Sequence, residues 1–285
     1  MSIGTLYLVA TPIGNLGDLS PRAREVLSAA DFLAAEDTRV TQKLLNAVGL
    51  PKKPMISYYE HNRRARGEQV LEKLLAGESC ALVTDAGTPA VSDPGEDLVA
   101  LAAENGVPVI PVPGACAAVC ALAASGLPTG RFCFEGFLSV NKKVRREHLE
   151  ALADETRTMI FYEAPHKLRQ TLADLTAAFG SARRVSLSRE LTKLHEETLR
   201  LTLGEAAEHF AETAPRGEFV LIVEGRAPDE DEGPDEQERL LAAAVEVRRR
   251  VADGQTQKDA VKAVSAACGV KKNALYRFVL EQDDT

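Results

Sequence analysis

Hydrophobic residues in the first 226 positions fall into short continuous runs, separated by longer stretches that carry helix-start signals. Continuous apolar runs are typical of strands that are covered on both faces, rather than of strands with one face in water. Regular alternation of such strands with helices predicts an α/β fold. The predicted strands span residues 5–10, 32–35, 80–84, 108–111, 132–137, 159–163, 184–188 and 219–224.

The stretches between the strands contain signals for helix starts and helix ends. A short polar side chain before a proline places a capping oxygen ahead of a residue whose fixed φ suits the first helical turn. A glycine after the last helical residue permits the left-handed conformation that ends many helices. On this basis we predict helix starts at Ser20-Pro21, Thr38, Asp93-Pro94 and Pro165, and helix ends at Gly49 and Gly106.

The composition changes after the last predicted strand. Residues 229–238 contain seven Asp or Glu and no Lys or Arg, so we expect a solvated acidic linker over 227–236. Residues 237–285 show no strand signal and are predicted to form three helices, with Gly254 and Gly269 as stops. A helix, a glycine-containing turn and a basic helix suggest a small all-α domain of the helix-turn-helix type.

The net charge narrows the choice of partners. The chain has 34 Lys and Arg against 42 Asp and Glu, a formal net charge of −8, so indiscriminate binding to phosphate backbones is not expected. Any nucleic acid must therefore meet local basic patches. The last predicted helix opens with such a patch, at the position that faces nucleic acid in a helix-turn-helix. The candidate RNA-binding residues there are Lys271, Lys272, Asn273 and Arg277.

The five cysteines are odd in number and lie mostly in apolar runs, which favours core thiols in a reducing compartment over disulfides or a zinc site. No apolar stretch reaches the length of a membrane span. The N-terminus enters a predicted strand at once and lacks the basic region of a signal peptide. We therefore expect a cytoplasmic protein with no metal and no membrane partner.

The loop TDAGTPAVSDPGEDL, residues 84–98, is the segment most typical of a ligand site. It leaves a buried strand at its carboxyl end, where ligands gather in open α/β sheets. Its glycines, prolines and small polar side chains can present N–H, C=O and hydroxyl groups on a fixed backbone. The structural alternative is a well-capped turn in which Asp93 only caps the next helix. Composition favours the ligand loop.

Other segments carry weaker signals. The turn TPIGNLGDLS has glycines that permit a close backbone approach, although it lacks the dinucleotide fingerprint and could be an ordinary strand–helix turn. Gly114 precedes a run of small residues that could admit a ligand or simply pack tightly. His61 and His166 are each, taken alone, more often structural or exposed than catalytic.

The chain resembles the rRNA small subunit methyltransferase I family, part of the tetrapyrrole methylase superfamily, in segments that keep the family's order over nearly the whole chain. These segments are LYLVATPIGNLGDLS, AAEDTRVTQKLL, ALVTDAGTPAVSDPG, PVPGACAA, FCFEGFL, FYEAPHKL, SRELTKLHEE, GEFVLIVEG and GVKKNALYRFVLEQ. One departure is Cys116, where many members of the superfamily carry a small hydroxyl residue.

The resemblance implies two α/β subdomains, over 1–118 and 119–226, with a cofactor in the cleft between them. It implies S-adenosylmethionine as methyl donor, S-adenosylhomocysteine as product, and a homodimer. The implied reaction is 2′-O-methylation of a cytidine in the decoding region of 16S rRNA, on the 30S subunit. By motif position, the implied cofactor contacts are Pro12, Gly14, Asn15, Asp85, Ala86, Gly87, Thr88, Val91, Ser92, Asp93, Gly114, Cys116, Ala117, Phe161, Tyr162, Glu163, Glu218 and Phe219.

Methyl transfer to a ribose hydroxyl needs in-line positioning and a carboxylate or imidazole that takes the proton as attack proceeds. We expect this group to be Glu36, Asp37, His61 or Glu163, with Arg39 holding phosphate. The segment AAEDTR is favoured because two acids and an arginine follow a buried run. An equally good alternative is that Asp37 caps the next helix and Arg39 pairs with it.

Three other functions remain open from the sequence. A methylase of a corrin precursor would share the fold, but would not need the basic C-terminal helices. A DNA-binding regulator that senses a nucleotide would bind a duplex sequence without turnover, and the acidic total weakens this case. A catalytically inactive RNA-binding factor differs from the enzyme only in an assay.

Overall fold

A computed structural model describes residues 3–227 and 236–283. The chain divides into two compact units, Met1–Arg226 and Ala227–Thr285. The first unit begins with a five-stranded parallel sheet in the order β3-β2-β4-β1-β5. Its elements are β1 (Leu6–Val9), α1 (Pro21–Ala29), β2 (Phe32–Ala35), α2 (Thr38–Ala47), β3 (Met55–Ser57), α3 (Arg63–Leu75), β4 (Cys80–Val83), α4 (Glu96–Glu104), β5 (Val109–Val112) and α5 (Ala117–Ala124).

A second five-stranded sheet follows in the same unit, in the order β6-β7-β10-β8-β9. Strands β6 and β7 are parallel, whereas the other three pairings are antiparallel. Its elements are β6 (Phe132–Phe137), α6 (Lys142–Ala151), β7 (Thr158–Glu163), α7 (Leu168–Phe179), β8 (Arg184–Arg189), β9 (Glu197–Thr202), α8 (Leu203–Glu212) and β10 (Phe219–Val223). The α/β fold class and all eight predicted strands are confirmed. Strands β3 and β9 were not predicted, because one is very short and the other has an interrupted apolar pattern.

Both sheets are covered by helices, which explains the continuous apolar strands. One face of the first sheet buries Leu33 and Val83 with α1 and α2, and the other buries Leu82 with α3 and α4. Helix α5 packs instead on the second sheet, where Leu122 meets Ile222 in one buried cluster. The division into subdomains at residue 118 stays a prediction, since residues 1–226 form one compact unit.

The helix starts differ in detail from their predictions. Ser20 caps α1 as expected, because its hydroxyl accepts from the backbone N–H of Ala23 at 3.0 Å. Two predicted caps are wrong. Helix α2 is capped by Asp37 rather than Thr38, and α4 by Gly95 rather than Asp93.

The start of α7 was also placed too early. Residues 165–167 form a turn after β7, and the helix begins only at Leu168. The helix ends were predicted correctly in type, because Gly49 and Gly106 both adopt positive φ just beyond their helices.

The second unit consists, in its described residues 236–283, of α9 (Glu236–Ala252), α10 (Gln257–Cys268) and α11 (Lys272–Asp283). Val247, Val261 and Leu275, one from each helix, lie in a common buried cluster. Gly269 ends α10 in the left-handed conformation, with φ of 67°. These three helices confirm the all-α prediction. Most of the expected acidic linker, 227–236, lies outside the described residues.

Two further features of the described residues are the length of the apolar helices and the exposure of the cysteines. Over the described part of the chain, no helix is both long and apolar enough to cross a membrane. All five cysteines are free thiols. Cys80 is buried as expected, and Cys116 and Cys133 are half-buried. Cys120 and Cys268 are exposed, so the expectation of core thiols is wrong for these two.

Candidate functional site

The loop between β4 and α4 has an unusual backbone. Four of its residues have positive φ: Gly87 at 84°, Ala90 at 66°, Ser92 at 61° and Gly95 at 141°. Non-glycine residues in this region carry strain and are held there only when their surroundings fix them. A Cβ on Gly95 would lie 2.7 Å from Cδ2 of Leu82, so the chain also passes closer to the core than a side chain allows.

Hydrogen bonds tie this loop to the carboxyl ends of two neighbouring strands. The N–H of Thr11 donates to the carbonyl of Gly87 at 2.8 Å, and the N–H of Gly87 donates back at 3.0 Å. The Thr11 hydroxyl donates to the carbonyl of Thr84 at 3.1 Å, and the Thr88 hydroxyl to that of Ala115 at 2.9 Å. These hydrogen bonds fix the conformation of the loop, as expected of a preorganised binding loop.

A cavity of about 340 Å³ lies against this loop, with the second sheet providing its opposite wall. Most of the predicted cofactor contacts meet there. They are Asp85, Ala86, Gly87, Thr88, Val91, Ser92, Asp93, Cys116, Ala117, Tyr162, Glu163, Glu218 and Phe219. We call this space the loop cavity.

Five predicted contacts do not line the loop cavity: Pro12, Gly14, Asn15, Gly114 and Phe161. For three of them the structure shows another role. The Asn15 side chain accepts from the N–H of Gly17 at 2.9 Å, and Phe161 is fully buried in the core of the second sheet. Gly114 lies so close to Ala10 that a Cβ would sit 2.8 Å from its methyl group.

Sequence reasoning missed one part of the wall. The turn after β8 contributes Glu190, Leu191 and Lys193, although its motif SRELTKLHEE had drawn attention only through the resemblance. Glu190 and Thr192 have positive φ, at 51° and 66°. Nothing in a pattern of polar residues marks such a conformation. The other lining residues not predicted as cofactor contacts are Ile13, Glu36, Thr84, Phe137, Ala164 and Val220.

The loop cavity is rich in negative charge. Burial and the nearby Glu36 carboxylate raise the pKa of Asp93 to about 6, with smaller effects from Asp85 and Glu218. Burial and Glu36 also raise the pKa of Asp85. Glu36 itself is held in place, because its Oε2 accepts from the Thr84 hydroxyl at 2.6 Å and from the N–H of Asp85 at 3.3 Å. The site thus holds a carboxylate whose pKa is raised toward neutral pH by burial and by neighbouring charge.

A second cavity, of about 500 Å³, shares part of its wall with the loop cavity. Glu36, Ser92 and Asp93 line both. The second cavity also has Tyr59 and His61, whose rings meet edge to face with centroids 6.3 Å apart. Two of the candidate bases, Glu36 and His61, are therefore brought to one space. We call it the outer cavity.

Asp37 and Arg39 have the contacts of the structural alternative. Asp37 caps α2 through the N–H of Arg39, and the Arg39 guanidinium grips its carboxylate at 2.6–3.2 Å. The hydrogen bond from that guanidinium is the main reason why the pKa of Asp37 lies well below its usual range. Asp37 is thus a weaker proton acceptor than Asp93. Arg39 extends into solvent, with 86% of its side chain exposed.

The loop cavity fits a small cationic cofactor. Its volume falls in the range of ligand sites, and its wall combines an apolar side with acidic groups. The Tyr162 hydroxyl accepts from the N–H of Ala118 at 3.1 Å, so the adjacent start of α5 is fixed from the second sheet. Among the described residues, no cluster of His, Cys, Asp and Glu is arranged to hold a metal.

Comparison with known sequences identifies the fold family. The family model for Tetrapyrrole (Corrin/Porphyrin) Methylases matches residues 5–207. The chain belongs to the tetrapyrrole methylase family. Among solved structures of this fold is uroporphyrin-III C-methyl transferase from Thermus thermophilus, complexed with S-adenyl homocysteine. It aligns with a TM-score of 0.53 at 21% identity, over 77% of this chain and 97% of that one.

Closer relatives within the tetrapyrrole methylases match the chain over nearly its full length. A protein of Synechocystis named Ribosomal RNA small subunit methyltransferase I is 48% identical over 279 residues, which cover 98% of both chains. A protein of the same name from Escherichia coli O157:H7 is 46% identical over 286 residues, covering 99% of this chain and 96% of the relative. These matches include the C-terminal helices, which lie beyond the residues that the family model matches.

Proposed function

We propose that this tetrapyrrole methylase transfers a methyl group from S-adenosylmethionine to the 2′-oxygen of a cytidine in the decoding region of 16S rRNA, on the 30S subunit. We further propose that it acts in the cytoplasm as a homodimer. The observation that carries the proposal is the near full-length match, at 46–48% identity, to relatives named as small-subunit rRNA methyltransferases. The match to the Synechocystis relative covers 98% of the chain, whereas the likeness to uroporphyrin-III C-methyl transferase covers 77% of it.

The loop cavity is the proposed donor site. When bound, the donor supplies an electrophilic methyl group on a positively charged sulfur. The backbone of residues 85–88, fixed by the bridge to Thr11, provides hydrogen-bonding groups that need no rearrangement. Val91 and Tyr162 add apolar surface, and the carboxylates favour a cation. The remaining predicted contacts outside the cavity stay predictions.

The outer cavity is the proposed acceptor site, because it meets the loop cavity at Glu36 and Asp93. The attacking hydroxyl must reach the donor across this shared wall. Asp93 has the pKa best matched to take the hydroxyl proton, and Glu36 beside it sustains that pKa. Tyr59, 41% exposed, offers a ring on which a base can stack. Asp37, His61 and Glu163 stay as alternative bases, and Arg39 as the proposed phosphate contact.

The C-terminal unit is the proposed RNA-binding unit. Lys271, Lys272, Asn273 and Arg277 are all exposed, at or near the start of α11. Tyr276, 41% exposed, lies on the same helix, between Asn273 and Arg277 in the sequence. Basic side chains interleaved with an aromatic ring suit a phosphate backbone with unstacked bases.

Labelled S-adenosylmethionine and assembled 30S subunits that lack the modification provide the test. We expect label on the ribose 2′-oxygen of one decoding-region cytidine. Label on a base, or on another RNA, would contradict the proposed reaction or substrate. Absence of label despite measured donor binding would contradict the rRNA assignment, and a corrin precursor would then be the next acceptor to test.

A further inference from the structure

The loop cavity has an unequal charge distribution that the proposed function does not yet explain. Six of its lining residues carry carboxylates: Glu36, Asp85, Asp93, Glu163, Glu190 and Glu218. Among the described residues that line it, Lys193 alone has a cationic side chain. The Glu163 carboxylate is buried and accepts from the Thr171 hydroxyl at 2.5 Å, so the other five acids set the charge of the loop cavity. A negatively charged ligand group is therefore repelled near these carboxylates and attracted at Lys193.

The position of Lys193 is fixed by close packing. Its stem lies directly over Gly14, where a Cβ would sit 2.2 Å from Cγ of the lysine. Its Nζ lies 3.0 Å from Oε1 of Glu190 in an ion pair. Glu190 in turn packs against Gly217, where a Cβ would come within 2.4 Å of its Oε1. The turn that carries both residues contains two non-glycine residues at positive φ, a conformation that persists only where the surroundings fix it.

Lysine can serve more than one acceptor. An ammonium group has three N–H donors, and the hydrogen bond to Glu190 uses one of them. The proposed donor has, at neutral pH, a sulfonium, an α-ammonium and one carboxylate. Its two cations suit the acidic wall, whereas its carboxylate needs a cationic partner.

We propose that Lys193 binds the carboxylate of the donor's methionine portion and so fixes which end of the donor enters which part of the loop cavity. This inference rests on the proposed use of S-adenosylmethionine. It names a binding residue in a turn that drew attention only through the resemblance, and that lies outside the basic patch at the start of the last predicted helix.

Binding measurements on the full chain test the inference without turnover. Calorimetric titrations would use S-adenosylmethionine, S-adenosylhomocysteine and decarboxylated S-adenosylmethionine, which lacks only the carboxylate of the first. Lys193→Met keeps an unbranched stem over Gly14 and removes the charge. Lys193→Arg keeps the charge, and Lys43→Met, at an exposed position on α2, is the matched control.

For Lys193→Met we expect roughly tenfold weaker binding of both ligands that carry the carboxylate. Decarboxylated S-adenosylmethionine should bind as tightly as to the wild type, or more tightly, because the variant removes a repulsive charge. Lys193→Arg should retain most of the affinity for all three ligands. Lys43→Met should match the wild type.

Other outcomes would overturn the inference. Equal weakening of all three ligands would show that Lys193 only supports the turn. Unchanged binding of all three, with a raised KM for 30S subunits, would assign Lys193 to RNA phosphate instead. If the wild type binds none of the three ligands, the proposed donor itself is wrong, which is a different failure from a loss confined to the variant.

Discussion

The negative charge of Asp93 should lower the stability of the folded protein. It is half-buried at the wall shared by the two cavities, and it faces the carboxylates of Glu36, Asp85 and Glu218. Replacing Asp93 by Asn removes the charge while keeping the shape of the side chain. We expect Asp93→Asn to raise the free energy of unfolding at neutral pH and to lose activity.

The magnitude follows from the raised pKa. Asp93 moves from an ordinary value of 3.8 to about 6, and each pKa unit corresponds to about 1.4 kcal/mol. The ceiling is therefore about 3 kcal/mol, and solvent screening of a half-buried group reduces the expected gain to about 1–1.5 kcal/mol.

The sign of the pH dependence is fixed as well. Because the pKa is higher in the folded state than in the unfolded state, the folded protein binds the proton more tightly. The penalty is absent below about pH 4, grows as the pH rises, and is complete above about pH 6. The advantage of Asn over Asp should follow the same course.

Urea unfolding at several pH values between 4 and 7.5 measures this effect. Near-ultraviolet circular dichroism is a suitable signal, because the chain has no Trp and four of its five Tyr lie in the first unit. Asp18→Asn, at an exposed position, is the matched control for an exchange of Asp for Asn. A stability difference for Asp93→Asn that is flat with pH, or a loss of stability at pH 7, would refute the reasoning.

Three further predictions concern the same surfaces. We expect the acid limb of the pH–rate profile near pH 6, and Glu36→Gln should move it to lower pH, because the substitution removes a charge that raises the pKa of Asp93. An acid limb that does not move would exclude Asp93 as the base. Gly95→Ala should cost about 2–3 kcal/mol in chemical denaturation, since its Cβ meets Leu82 at positive φ, whereas Gly130→Ala, in open space, should be nearly neutral. Deletion of residues 237–285 should weaken 30S binding and leave donor affinity intact. Unchanged methylation of the subunit would contradict the proposed RNA-binding role of the C-terminal unit.

The strands and the main site loop were predictable because their signals are local. A strand such as Phe32–Ala35 is one apolar run, and covering both faces of a parallel sheet requires that pattern. The loop after β4 was predictable for the same reason, since its prolines, glycines and small polar residues occur together after a buried strand. The antiparallel pairing of most strands in the second sheet could not be predicted, because the pairing partners lie far apart in the sequence.

Other features depend on backbone conformations and contacts that leave no local mark. The positive φ of Ser92 and Glu190 follows from what surrounds them, and neither residue type signals it. The predicted Asp93 cap fails because Gly95 intervenes and starts α4 two residues later. Lys193 reaches the loop cavity only because its stem can lie over Gly14, a contact between segments about 180 residues apart.

The charge balance of the proposed reaction connects these acidic groups to the chemistry. Transfer of the methyl group removes one positive charge from sulfur and releases one proton from the hydroxyl. If that proton stays on Asp93, the total charge of the loop cavity is the same before and after transfer. Loss of the donor's cation would raise the pKa of Asp93 further, because less positive charge would then stabilise its ionised form. The neighbouring carboxylates already raise the pKa of Asp93, so its affinity for a proton would be greatest once the sulfur is neutral. In the proposed reaction, proton capture at Asp93 would in this way be coupled to methyl transfer by electrostatics.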